Sequence, residues 1–142
     1  MKSQALTTLP LLTLLLLVTT ISTSAQSQRS SVLDIPFSFT IGDKTLPAGE
    51  YTVEPNRKDY DKVWLLQSKD SRASVLFSTM SVRANETQEQ TKLVFNKYGE
   101  QYFLSQIWTP GGSNGRALTT PRAERELAKN SAERQKVAVV AR

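Results

Sequence analysis

Among its 142 residues the chain has no cysteine and no histidine. Without cysteine there is no disulfide framework, no thiolate metal site and no lipid-modified cysteine, so the fold is held by packing and hydrogen bonds alone. Without histidine the commonest general base and metal ligand is missing. That excludes Ser-His and Cys-His nucleophilic sites and nearly all zinc chemistry. A long apolar run is lacking too: Leu6 to Val18 falls short of the about 20 residues that span a bilayer. Its setting gives it another meaning. Met1-Lys2 is a positive start, and the small residues Thr23-Ser24-Ala25 precede Gln26, the three-part pattern of a secretory signal peptide cleaved after Ala25.

Three segments follow: a signal peptide over 1–25, a β domain over 26–115, and a basic linker, short helix and tail over 116–142. The part after Ala25 is large enough for one hydrophobic core. Its charge is uneven. The net +5 includes Lys2, residues 26–115 carry ten basic and ten acidic side chains, and residues 116–142 carry seven basic against three acidic. A neutral body argues against nucleic acid as the main partner, since that binding is carried by a broad basic surface.

Ile35, Phe37, Phe39 and Ile41 alternate with smaller or polar residues, which predicts a strand from about Val32 to Ile41. Gly42-Asp43 and Leu46-Pro47-Ala48-Gly49 are turns, with a strand from Glu50 to Val53 after them. Lys62–Ser68 with Arg72–Val82, and Lys92–Tyr98 with Gln101–Thr109, form two hairpins around Ser68–Ser71 and Tyr98-Gly99-Glu100. Asn56–Asp61 and Arg83–Gln90 are solvated loops. Six or seven strands and no intervening helix predict an all-β fold, an antiparallel meander closing as a small sandwich or barrel. Pro110–Gly115 reads as a flexible connection. Thr120 as N-cap and Pro121 at the first helical position start a short C-terminal helix whose one bulky apolar residue is Leu127, and Ser131–Arg142 is expected to fray.

Catalytic motifs are thin. Gly111-Gly112-Ser113-Asn114-Gly115 matches the spacing of a nucleophile elbow but has no histidine to serve it. Asp59-Tyr60-Asp61 offers oxygen ligands for calcium, yet Lys58 and Lys62 flank it. Asn85-Glu86-Thr87 is a formal glycosylation sequon, meaningful where the source has that machinery. No catalytic residue, metal or cofactor is expected. A carboxylate-dependent hydrolase is the enzymatic alternative. The aromatic residues say more. Tyr102, Leu104 and Trp108 are read on one face of their strand with Phe103 and Ile107 on the other, and Trp64 with Leu66 opposes Val63 with Leu65. Strands apolar on both faces need a cover, whether the C-terminal helix, another subunit or a ligand. Trp64, Tyr102 and Trp108 are the candidate ligand-binding residues. Arg122, Arg125, Lys129, Arg134 and Lys136 are candidates for contact with an anionic surface.

Taken together, Pro36–Gly42, Leu46–Val53, Tyr98-Gly99, Trp108–Gly111 and Arg122–Leu127 resemble a family of small exported bacterial β-rich proteins of uncharacterised function. The resemblance implies a periplasmic or secreted location and brings no catalytic residues. The expected function is a non-catalytic binding or structural domain of the bacterial envelope, with polysaccharide, anionic lipid or another protein as partner; a tail-driven binder of anionic surfaces is a further alternative.

Overall fold

The computed structural model describes residues 31–56, 62–130 and 133–142. The expected signal peptide and the Asp59-Tyr60-Asp61 group lie outside these. The described elements are β1 (Ser31–Ile35), β2 (Phe39–Ile41), β3 (Lys44–Leu46), β4 (Gly49–Pro55), β5 (Val63–Ser68), β6 (Ser74–Arg83), β7 (Lys92–Tyr98), β8 (Gln101–Trp108), β9 (Asn114–Leu118), α1 (Arg122–Asn130) and β10 (Gln135–Val140). Among the described residues the fold is all-β with one short helix near the C-terminus.

The first predicted strand is two. Pro36 has no N–H to give a ladder, so pairing stops after Ile35 and resumes at Phe39. The apolar alternation survives the break: Leu33, Ile35, Phe39 and Ile41 are all buried. Phe37 spans the gap, stacked on Tyr102 with ring centroids 3.8 Å apart and edge-on to Phe95 at 5.2 Å.

Antiparallel pairing runs β1-β4-β5-β6-β9-β8-β7-β10. The β2-β3 hairpin joins β8 by a parallel pairing, Thr40 with Phe103, which makes the sheet mixed. The strand ladder does not close into a barrel. Its two ends meet where the Arg142 N–H donates to the Val32 carbonyl at 3.2 Å and the Arg142 guanidinium pairs with Asp34 at 2.6 Å. Both expected hairpins form, and Gly99, at φ 58°, takes the first position of the two-residue turn between Tyr98 and Gln101.

One register expectation fails. Val94 pairs with Gln106 but Phe95 pairs with Leu104, so Ser105 is an extra residue, its hydroxyl donating to the Val94 carbonyl at 3.0 Å. Such a bulge reverses the in–out alternation beyond it. Leu104 and Ile107, expected on opposite faces, both enter the core with Trp64, Leu66, Leu93 and Phe95. Trp108 therefore turns to the face opposite Tyr102.

The C-terminal segment departs most from the sequence reading. Pro110–Gly115 is pinned rather than flexible: Ala84 donates to Ser113 at 2.7 Å, Gln88 to Gly112 at 3.0 Å and Gly111 to Gln88 at 3.0 Å. Residues 114–118 form β9 between β6 and β8, and 135–140, expected to fray, form β10 along the whole of β7. Alternation of Val137 and Val139 with Ala138 and Val140 in a strand-forming run explains β10. Between them α1 is seated on the outer face of β7 through Glu124. The Arg125 N–H donates to the Pro121 carbonyl at 3.1 Å, which puts Pro121 rather than Thr120 at the cap.

Candidate functional site

The aromatic trio does not assemble. Trp64, 5% exposed, belongs to the inner core. Trp108, 7% exposed, lies on the outer face with its ring against Gly115, where an added Cβ would stand 2.4 Å from Trp108 Cε3. Tyr102 is half-buried at the inner rim, and its ring meets Phe37 at 3.8 Å and the Lys97 ammonium 5.5 Å from its centroid. No flat ring among the three is left as an open platform.

The outer face of β7 is covered, as a two-sided apolar strand requires, and the cover is the C-terminal helix. Its contact was not foreseen. Glu124, 2% exposed, faces the sheet and accepts hydrogen bonds at Oε1 from Asn96 Nδ2 at 2.7 Å and the Tyr98 hydroxyl at 3.2 Å. A carboxylate in the first turn suits the helix dipole. At that position it would normally reach back to the cap N–H, but proline at the cap has none to offer. Burial, then the Glu124 charge and its hydrogen bond, push the Tyr98 hydroxyl above its ordinary pKa of 10.0, partly offset by the nearby Arg134 guanidinium. Asn96 Oδ1 is buried with no hydrogen-bond partner. The signal for this contact was only the polar Asn96 directly after the apolar run Leu93–Phe95.

The cationic candidates Arg122, Arg125, Lys129, Arg134 and Lys136 are all exposed. At about 100° per helical residue, Arg122, Glu126 and Lys129 fall roughly opposite Glu124 and Arg125 on its flank, and all four are exposed. Lys129 pairs with Glu126 at 3.2 Å.

Among the described residues, two concave features bear on a possible site. Pro47–Tyr51 and the turn from Ser68 to Ala73 border an open cleft of about 570 Å³. Its charges are already engaged: Lys69 pairs with Glu50 at 2.6 Å, and Asp70 accepts from the Ser68 hydroxyl at 2.6 Å and the Arg72 N–H at 3.2 Å. Hydrogen bonding and charge from Lys69 hold the Glu50 carboxyl below its usual range, and the Ser68 hydroxyl does so chiefly for Asp70. The Tyr51 hydroxyl closes the adjoining turn onto the Pro47 carbonyl at 2.7 Å, so the Leu-Pro-Ala-Gly-Glu-Tyr motif has a structural use. A smaller hollow of about 280 Å³ lies beside Trp64, Ile107 and Gly115. Among the described residues no three metal-liganding side chains cluster.

Among the described residues, the outer face of β5 and β6 is left without a cover. Phe77 and Val75 point to the core, which sends Leu76 and Met80 outward at 59% and 57% exposure. Leu65 is paired with Leu76, and Ala117 with Met80. Comparison with protein-family models, curated proteins and solved structures found no match.

Proposed function

We propose that the chain is an exported, non-catalytic binding or structural domain of the bacterial envelope that works through the outside of its sheet. The carrying observation is the uncovered apolar strip on β5 and β6, because exposed large apolar side chains grouped on one face mark interaction surfaces more often than isolated ones do. The interior is filled by side chains such as Phe39, Tyr51 and Phe95, leaving the outside as the place for a partner. The export half of the reading is supported by the charged start, apolar run and Ala25-Gln26 junction, and the envelope setting by the family resemblance.

The test is expression of the full chain in a bacterial host. The expected product begins at Gln26, lies outside the cytoplasm and sediments with isolated envelopes, and the sedimentation weakens when Leu76 and Met80 are changed to threonine. An unprocessed cytoplasmic product contradicts export. A processed product that never associates with envelopes contradicts the binding role.

A further inference from the structure

The two edges of β6 are used unequally. The Ser68 N–H donates to the Ala73 carbonyl at 2.8 Å and the Thr79 N–H to the Lys62 carbonyl at 2.7 Å, so the odd residues from Ala73 to Thr79 turn their backbone groups to β5. The even residues turn theirs to the other edge. There β9 pairs with Thr79–Arg83, and among the described residues no strand pairs the stretch from Ser74 to Ser78. The Leu76 N–H and C=O and the Ser78 N–H therefore face an open edge. The β2-β3 hairpin stands across from it, because β9 and β2 share the edge of β8 away from β7, at Gln106–Trp108 and at Phe103. A side chain bridges the two: Lys44 Nζ donates to the Ser74 carbonyl at 2.6 Å.

Deepening the binding-domain reading above, on which it rests, we infer that the open edge of β6 at Ser74–Ser78 receives an extended, uncharged peptide segment of a partner protein as an added strand. Main-chain donors and acceptors left on a sheet edge are matched by the backbone of another strand, which a lipid headgroup or a sugar does not supply in register. Nothing in β6 repels one. From Ala73 to Val82 there is neither a charge nor a proline, the usual guards of an edge, and the guard seen among the described residues is Lys44 at Ser74. The neighbours of the edge fix the chemistry of the segment. Side chains of an added strand alternate across the sheet, so inward ones meet Val75 and Phe77, which pack against the core, and outward ones lie beside Leu76, 59% exposed. Apolar and β-branched residues suit both faces. The opening also argues against a second copy. An extended lysine with one hydrogen bond spans no more than two strand spacings, about 10 Å, which admits a single chain, whereas β6 of a second copy arrives with β5 paired beside it.

The probe is a synthetic heptapeptide of alternating valine and threonine, acetylated and amidated to carry no charge, against the same peptide with a central proline. The protein is the chain from Gln26 onward, which contains every strand and core residue described, followed by amide hydrogen exchange in NMR. In the free protein the Leu76 and Ser78 amides should exchange much faster than those of Phe77 and Thr79. The peptide should slow Leu76 and Ser78 about tenfold, and its proline version should not. Ser78→Pro removes an N–H that faces the open edge, so the melting temperature should stay near that of the parent. The same change should weaken both the peptide effect at Leu76 and sedimentation with isolated envelopes roughly tenfold, while Ser78→Thr, which keeps the N–H, preserves both. Thr79→Pro, which breaks the bond to Lys62, should destabilise the fold instead. If Ser78→Pro melts early, the exchange rates of the parent chain carry the test.

Leu76 and Ser78 amides as protected in the free protein as those of Phe77 and Thr79 overturn the inference, since the edge is then closed. So does a peptide that leaves their exchange unchanged, and so does a dimer in solution that Ser78→Pro dissolves. Envelope association undiminished by Ser78→Pro sinks the strand inference and leaves the binding domain standing. Absence of both peptide and envelope binding sinks both. Peptide protection without envelope association keeps the edge site and sinks the envelope reading.

Discussion

Gly115 is where a single atom matters most. A Cβ there would overlap the Trp108 ring, and neither β8 nor β9 has room to yield without breaking its pairing. Gly115→Ala should therefore cost about 1–3 kcal/mol, the usual range for overpacking, read as a lower urea midpoint at unchanged slope. Glu124 gives a second, sharper comparison. Glu124→Ala strands the Asn96 amide and Tyr98 hydroxyl and should cost about 2–4 kcal/mol. Glu124→Gln should cost much less, because its oxygen still accepts from Asn96 and its new amide offers a donor where Asn96 Oδ1 has no partner. Equal losses for the two variants would show that the contact is not a hydrogen-bonded one. Tyr98 and Tyr51 both have raised pKa values, chiefly from burial. The sign follows directly: above the ordinary pKa of 10.0 the unfolded chain gives up these protons before the folded one does, so stability is full below it and falls as pH rises further. A melting temperature flat to that point and then declining is expected, with a shallower decline in Tyr98→Phe.

Elements with strong alternation or turn chemistry were readable in the chain: β4, the β5-β6 and β7-β8 hairpins, the helix and the alternating core residues of β1 and β2 all follow from period and turn residues. What escaped depends on partners distant in sequence. Asn114-Gly115-Arg116-Ala117-Leu118 has no strand period of its own and becomes β9 because β6 and β8 present edges on either side. The Ser105 bulge leaves no mark in local sequence, and missing it put Leu104 on the wrong face and Trp108 beside Tyr102. The cationic candidates were legible as exposed side chains, whereas the aromatic trio was dispersed by packing, and the carboxylate that docks the helix was not singled out, Leu127 being the one apolar contact the sequence offered. An independent basic tail was the natural reading of the charge split. The pairing of β10 with all of β7 replaces it with an integral part of the sheet. Truncation after Gly115 removes most of β9, all of α1 and β10, and bares the edge of β7. The expected outcome is loss of cooperative unfolding, seen by thermal melts; a truncated chain with a melting temperature near that of the parent would show that the tail is an appendage. Arg142→Ala, by contrast, removes an exposed pair and should cost less than about 1 kcal/mol.

At the scale of the whole molecule the sheet encloses a filled interior, and Glu124 seats α1 on the outer face of β7. Trp64 and Trp108 are buried on opposite faces by different neighbours, so emission from the free protein should be blue-shifted and poorly quenched by iodide. Freely quenched indoles would contradict the packing of both faces. The account stands or falls on whether the apolar strip of β5 and β6 is where a partner sits. Its two methionines are Met1 and Met80, so the chain from Gln26 carries a single built-in reporter in the middle of the strip. The most direct measurement is the rate at which peroxide converts Met80 to its sulfoxide, followed by mass spectrometry with and without isolated bacterial envelopes. The account predicts ready oxidation in the free protein, where the side chain is largely exposed, and marked slowing when envelopes are bound. Bound protein whose Met80 oxidises as fast as the free protein's would contradict it.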